Sequence, residues 1–352
     1  EDEWTRDAKE LEAKFTDDGY APVIMYAQDD ADEQASQVSD MTEEGVSAMV
    51  IAPVDPYGLS EELKAAKEAE IPVIAYDDLI MNTDGVKYYV TFGGRQIGQL
   101  IGQEIIDKEE LEKLQEEKGS KTIEFLMGSL DDTQALFFYN GLMEKLQPYL
   151  DDGTLVCKSG QITFEETGIL RWSMDEAQSR AEDILEEAYQ DGEAPDIICT
   201  GFDGAAEGAV NALQNNGLTP GENWPMITGV GCDEDAVRDI AESEIACSVF
   251  MDRRVLADQA EDMVNVYLHG EDDPEVNDYE QYDNGTKIIA SYLCEPQLIN
   301  IDNYEILIDS GYYTEDEVKP ETTPTPEPTV TPEITEEPDV TATPEVTESP
   351  EA

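Results

Sequence analysis

Apolar runs short enough to be strands alternate with amphipathic helical stretches, and this restricts the fold more than any other feature of the chain. "APVIMYA" (21–27) reads as a strand and "ADEQASQVSDMTEEG" (31–45) as a helix stopped at Gly45. "VSAMVIAPV" (46–54), "IPVIAYD" (71–77) and "YYVTF" (88–92) read as further strands, with helices at "LSEELKAAKEAE" (59–70) and "GRQIGQLIGQEIID" (94–107). These strands are apolar throughout rather than on one face. That pattern predicts a parallel sheet covered on both sides. Ahead of it, Trp4, Ala8, Leu11 and Phe15 form one helical stripe. The first strand of a doubly wound sheet usually lies in its middle. The opening helix therefore leads to the expectation that a central strand precedes Glu1.

The pattern starts afresh at "KTIEFLMG" (121–128). Strands at "TLVCKSG" (154–160), "PDIICTG" (195–201), "PMITGVG" (225–231) and "ACSVF" (246–250) follow, separated by helices, the last of them a short helix after Asp235. The expected fold is thus α/β, with two doubly wound parallel-sheet lobes and a ligand cleft between them. The charged stretch "KEELEKLQEEKGSK" (108–121) looks like the connection. Expected boundaries are 1–118 plus 252–285 for one lobe and 119–251 plus 286–318 for the other. Residues 319–352 are rich in Pro, Thr and Glu and almost free of large apolar side chains. They cannot bury a core and are expected to form a disordered, extended acidic tail.

Charge and rare residues narrow the function. Asp and Glu number 83 against 20 Lys and Arg, a net charge of −63. Such a field repels nucleic acid and anionic membranes. One histidine, His269, disfavours His-based triads and multi-His metal sites. The five cysteines form no CxxC pair, and those at 157, 199 and 247 sit in strand-like runs as small hydrophobes. The acidic loops "DDADEQ" (29–34) and "GEDDPEVND" (270–278) lack the spacing and turn glycine of an EF-hand and read as solvated loops. No metal and no cofactor is expected.

Open parallel sheets bind ligands at the carboxyl ends of their strands. Those ends carry Asp77 and Asp78, Asp132 in "SLDDTQ", Asp203 and Asp233. Each also has a plain reading as a helix N-cap, weaker for Asp77 and Asp233, which open no strong helical pattern. Trp172 stands between polar residues just before a helix, and Trp4 and Phe202 are nearby aromatics. A buried Trp usually serves the core. Carboxylates beside flat aromatic faces also suit a sugar: the carboxylate accepts hydroxyl hydrogen bonds and the ring covers a C–H face.

Several stretches, taken in order and spacing, resemble the xylose and multiple-sugar branch of the ribose-type periplasmic binding proteins. They are "MVIAPVD…IPVIAYDDLI", "YYVTF…IGQLIG", "GSLDDTQALFFYNGLMEKLQPYLDDGTLVCKSGQ", "GILRWSMDEAQ" and "SYLCEPQLINIDNYEILIDSGYYTEDEV". The resemblance covers about Trp4 to Val318. It implies two α/β lobes joined by three crossovers (the type I fold), a monosaccharide or related polyol in the cleft, and a first strand ahead of Glu1. It further implies delivery to an ABC transporter permease, signalling to a chemoreceptor in some members, and work outside the cytoplasmic membrane, in the periplasm or as a lipoprotein. Asp77, Trp172, Asp203 and Asp233 fall at ligand-contact positions, with Asp132, Thr133 and Gln134 at a stretch that is often Asp-Asn-Asn. Trp4 matches the family's first Trp, and Asp78 directly follows the first contact Asp. The chain departs at Asp78, Glu3 and Met251, where members commonly carry basic residues. With three cationic donors missing together, an amino sugar, a polyol or another cationic ligand gains weight.

Two other functions fit less well. Paired carboxylates could hydrolyse a glycoside, but no nucleophile motif is present, so the chain is read as a binding protein and not an enzyme. A sugar-sensing regulator would need a basic helix-turn-helix, and the acidic start offers none.

Overall fold

The computed structural model describes residues 3–318 except 190–192, 222 and 271–272. Helices α1 (Glu3–Asp17) and α2 (Ala31–Glu44) lead into β1 (Met49–Ile51), α3 (Ser60–Glu68), β2 (Val73–Tyr76) and β3 (Val86–Phe92). Helices α4 (Gly94–Lys108) and α5 (Leu111–Glu117) precede β4 (Lys121–Leu126), α6 (Thr133–Asp152) and the short β5 (Leu155–Val156). Next come α7 (Phe164–Thr167), a 3-10 turn at Leu170–Trp172, α8 (Met174–Ala188), β6 (Ile197–Thr200) and α9 (Asp203–Asn215). The described chain closes with β7 (Met226–Gly231), α10 (Glu234–Glu242), β8 (Cys247–Phe250), α11 (Arg253–His269), β9 (Ser291–Cys294), β10 (Gln297–Asn300) and α12 (Glu305–Asp309).

The strands form two sheets, ordered β1-β2-β3-β9 and β10-β8-β7-β6-β4-β5. Every pair is parallel except β10, which runs antiparallel on β8 at the edge of the second sheet. Both faces of each sheet are covered, as continuous apolar strands require. Leu59, Leu63 and Tyr282 pack on Val73, Ala75 and Tyr89 on one side of the first sheet. On its other side Ile74, Tyr76 and Val90 meet Leu256, Ala260 and Met263 of α11. In the second sheet, Ile198 and Ile227 meet Ile184, Leu213 and Ile240. Ile123 and Phe125 face Ile101, Phe138 and Leu142.

Caps set several element starts. Asp30 accepts hydrogen bonds from the amides of Asp32 and Glu33, and Gly45 ends α2 at φ +72. Asp30 is thus used as a cap in the acidic stretch 29–34. Ser173 caps α8 through the Glu176 amide.

The structure moves both lobe boundaries. The linker-like charge of 108–121 predicts that helix α4 belongs to the first lobe. The helix packs instead along α6 of the second lobe, at almost backbone contact. A Cβ on Gly98 would lie 2.0 Å from the Phe138 carbonyl oxygen, and one on Gly141 2.0 Å from that of Arg95. Only glycine permits that approach. The second correction concerns 286–294. Strand β9 pairs with β3, so this stretch joins the first sheet rather than the second. The chain therefore crosses between lobes three times, after Phe92, Phe250 and Cys294.

Three local expectations also change. Residues 21–27 form no strand, and Val23, Met25 and Tyr26 are exposed. Strand β1 has β2 on one side and no strand partner on the other among the described residues. An apolar run without a neighbour to complete its ladder does not become a strand. The strand expected at 154–160 shortens to two residues. Stretch 108–121 holds α5, whose Leu111 is fully buried. The tail at 319–352 lies outside the described residues.

Candidate functional site

Asp77 directly follows β2 in a left-handed conformation, φ +66. That conformation is uncommon for a residue other than glycine. Its amide donates to the Val90 carbonyl, and its carbonyl accepts from the Tyr89 hydroxyl at 2.5 Å. The backbone is therefore held on β3 while the side chain turns outward. Its Oδ2 accepts from Nη1 of Arg253 at 3.0 Å. Arg253 is the first residue of α11 and donates through Nε to Asp7 Oδ2 at 2.9 Å. Asp7 is buried and also accepts from the Tyr76 hydroxyl at 2.9 Å. The guanidinium lies 5.2 Å from the Trp4 ring, a cation–π distance. Trp4 thus sits at the site over an arginine, with 39% of its surface exposed. Asp78 follows, half-buried, with its amide bonded to the Tyr76 carbonyl.

The second lobe supplies the other wall. Asp132 caps α6 through the Gln134 amide, the plain role its position allowed. Burial pushes its carboxyl above the usual range, and the charge of Asp77 adds to this. Gln134 Nε2 donates to Tyr89 Oη and Thr91 Oγ1, joining α6 to β3 across the lobes. It acts as a bridge between lobes in this conformation. Trp172 follows Arg171, and both have left-handed φ near +55, held by the Arg171 amide bond to Ser129 Oγ at 2.8 Å. The indole stands edge-on to Phe202, centroids 5.3 Å apart, over the tip of β4. A Cβ on Gly128 would come within 2.3 Å of the ring, so glycine is required there.

Asp203 departs from both of its sequence readings. It is 1% exposed, so it does not front the cleft. Nor does it cap α9; its oxygens accept from the Asp233 amide at 2.8 Å and Ser248 Oγ at 2.7 Å. Asp233, in contrast, reaches solvent although the cavity wall partly desolvates its carboxyl, and it makes no capping bond to α10.

Asp233 lines a cavity of about 460 Å³ with Arg6 and Arg253 of the first lobe and Glu207, Met251, Tyr312 and Tyr313 of the second. Asp77 reaches its edge through Arg253, and Phe202 stands beside Gly204 on its lining, joining it to Trp172. Asp77 and Trp172 are not themselves lining residues. A smaller hollow of about 360 Å³ lies on α8 beside Gln161 and Arg180. Arg6, Arg253, Tyr312 and Tyr313 were not picked from the sequence. Arg6 stacks over the Tyr312 and Tyr313 rings at 5.3 and 5.9 Å. Its charge opposes the rise that burial imposes on Asp233. Two arginines thus stand where the sequence suggested a lack of cationic donors. The cavity lining therefore carries guanidinium donors despite the non-basic residues at Glu3, Asp78 and Met251. No sequence motif marked Arg6 within "EDEWTRDAKE". "DRR" after a strand was a visible signal for Arg253.

Residues 1–272 match the periplasmic binding protein domain family. The chain belongs to that family. It is 38% identical over 318 residues to the multiple sugar-binding periplasmic receptor ChvE of Rhizobium radiobacter, covering 90% of this chain and 88% of that one. It is 36% identical to the multiple sugar-binding periplasmic protein SbpA of Azospirillum brasilense, covering 90% and 87%. A solved ABC transporter solute-binding protein from Clostridium phytofermentans with bound β-D-glucose superposes with a TM-score of 0.81 at 40% identity. That match covers 90% of this chain and 96% of the other.

Within this periplasmic binding protein, cavity electrostatics are mixed rather than simply acidic. Burial raises Glu207 to about 7, and neighbouring Asp235 and Asp203 add to the effect. At neutral pH the lining offers anionic acceptors, a partly protonated carboxyl and two guanidinium donors. Such a set can both accept from and donate to hydroxyl groups.

Proposed function

We propose that this chain is an extracytoplasmic solute-binding protein that captures a monosaccharide between its lobes and delivers it to an ABC importer. The observation that carries the reading is the cavity at the tips of two parallel sheets, with Asp77–Arg253 on one side and Asp233 on the other. In this reading Asp77 and Asp233 accept sugar hydroxyls, and Arg253 and Arg6 donate to ring or hydroxyl oxygens. Trp172 and Trp4 cover apolar C–H faces. Asp78 and Asp132 are proposed as further acceptors beside Asp77. Gln134 couples the lobes, and Asp203 supports Asp233 from behind. The sugar-binding relatives and the glucose-bound neighbour support a neutral aldose as guest. The permease and, as the family resemblance implies for some members, a chemoreceptor are the partners of this role.

The test is a thermal-shift screen over aldoses, polyols and amino sugars, followed by calorimetry. A neutral aldose at free concentration c should stabilise the protein by RT ln(1 + c/Kd), a shift that keeps growing with sugar concentration. Stabilisation by amino sugars alone would overturn the neutral-aldose assignment. No turnover of chromogenic glycosides is expected; turnover would favour the hydrolase reading.

A further inference from the structure

We propose that Asp203 is a positioning residue whose buried carboxylate fixes the turn that presents Asp233 to the cavity, so that ligand affinity depends on the ionisation of a group that never touches the ligand. The inference rests on the proposed sugar-binding role of Asp233.

The geometry is specific. Strand β7 ends at Gly231 (φ +135) and Cys232 (φ +57) follows it, two consecutive residues in left-handed conformations. For Cys232, which has a Cβ, this conformation is unfavourable unless the surroundings enforce it. Three contacts enforce it. The Asp233 amide donates to Asp203 Oδ2 at 2.8 Å, the Cys232 amide to Ser248 Oγ at 3.1 Å, and the Tyr313 hydroxyl to the Cys232 carbonyl at 2.9 Å. Ser248 also donates to Asp203 Oδ1 at 2.7 Å, so the first two contacts meet at one carboxylate. Space is reserved for it. A Cβ on Gly229 would lie 2.2 Å from Asp203 Oδ1. The hydrogen-bond partners of Asp203, the Asp233 and Cys232 amides and the Ser248 hydroxyl, are all neutral donors, and burial of an anion on such partners carries a large desolvation penalty. A merely structural acceptor could be a neutral amide or hydroxyl. An anion binds the Asp233 amide more strongly, because the bond is charge-assisted.

Burial, followed by the charge of Asp233, raises the Asp203 carboxyl to about 7. The ionisable groups around it are Asp233 and Asp235 from the turn and α10, Glu207 from α9, the buried thiols of Cys232 and Cys247, and Arg6 of α1, which faces Asp233. Protonating Asp203 turns a charge-assisted acceptor into a neutral acid. The turn then loosens and Asp233 is less well aimed. Glu207 titrates in the same range and lines the cavity, so it is the necessary control.

The experiment compares wild type, Asp203→Asn, Ser248→Ala and Glu207→Gln. D-glucose binding is measured by calorimetry from pH 5.5 to 8.5, and backbone amide exchange across residues 226–237 is measured without ligand. Wild type should lose about ten-fold in affinity between pH 8 and pH 6. Asp203→Asn should bind weakly at both values and lack this step, and Glu207→Gln should keep it. Any weakening on acidification that survives in Asp203→Asn belongs to Asp233, whose carboxyl burial also raises. At equal pH, amides of the turn should exchange at least ten-fold faster in Asp203→Asn and in Ser248→Ala. Wild-type exchange in both variants would overturn the proposal, as would a pH step abolished by Glu207→Gln and retained by Asp203→Asn. If wild type binds no D-glucose, the functional reading fails on that probe while the exchange arm still decides the role of Asp203. If Asp203→Asn does not fold, Ser248→Ala decides it.

Discussion

Replacing Arg253 by methionine tests how the first-lobe wall is held. The Arg253 side chain is 10% exposed, Asp7 3% and Asp77 25%. The Arg253–Asp7 pair is therefore buried, and its removal leaves a carboxylate in a dry site with only the Tyr76 hydroxyl as a described donor. Breaking a buried pair from one side costs about 3–5 kcal/mol. The Asp77 contact is more open and adds little to stability. Its loss should instead free the Asp77 side chain and weaken sugar binding. Urea unfolding with linear extrapolation would measure the stability loss. Asp7→Asn combined with Arg253→Met should recover most of it, because no buried charge then lacks a partner. The pH dependence follows from the same picture. Burial pushes the Asp7 carboxyl up, and Arg253 pulls it back. Without Arg253 the folded state takes up a proton that the unfolded chain releases near pH 4. The deficit should therefore shrink as pH falls from 8 to 5. A loss below about 1 kcal/mol, or a double variant no better than the single one, would refute the claim that this pair is buried and coupled.

Asp77→Ala should reduce D-glucose affinity by about 10- to 150-fold, the range of one hydrogen bond to a charged group. Calorimetry on a variant with unchanged far-UV circular dichroism would show it, and wild-type affinity would remove Asp77 from the site. Gly98→Val forces a side chain into the α4–α6 contact and should cost about 3 kcal/mol in urea unfolding. A cost near zero would mean that the two helices can separate freely. Asp203, Glu207 and Asp239 are each raised to about 7, chiefly by burial. The folded protein holds these protons to higher pH than the unfolded chain, so stability should fall as pH rises from 5 to 8. A urea midpoint that rises over that interval would contradict the sign.

The alternation of apolar runs and helices determined a great deal before any coordinates. Runs such as "IPVIAY" are apolar on both faces, which only a covered parallel sheet accommodates. Strand tips followed from the same pattern and pointed to Asp77, Asp132, Asp203 and Asp233 as candidates, and Trp172 was added from its place between polar residues before a helix. The roles of these residues could not be fixed that way. Asp203 and Asp233 are both aspartates after strands, yet one is buried behind the other, and only the crossing of β7, β8 and α9 decides which. Asp132 and Asp30 were caps, a local role that sequence spacing leaves open beside ligand binding.

Long-range choices were settled by tertiary structure. Helix α4 follows a first-lobe strand but joins the second lobe, because Gly98 and Gly141 let two backbones approach closely. Strand β9 lies far along the chain from β3 and pairs with it through hydrogen bonds that carry no local sequence signature. Arg6 and Arg253 are 247 positions apart and line the same cavity. Periodicity reports what a segment buries. Which distant segment covers it, and which charges then meet, depends on packing.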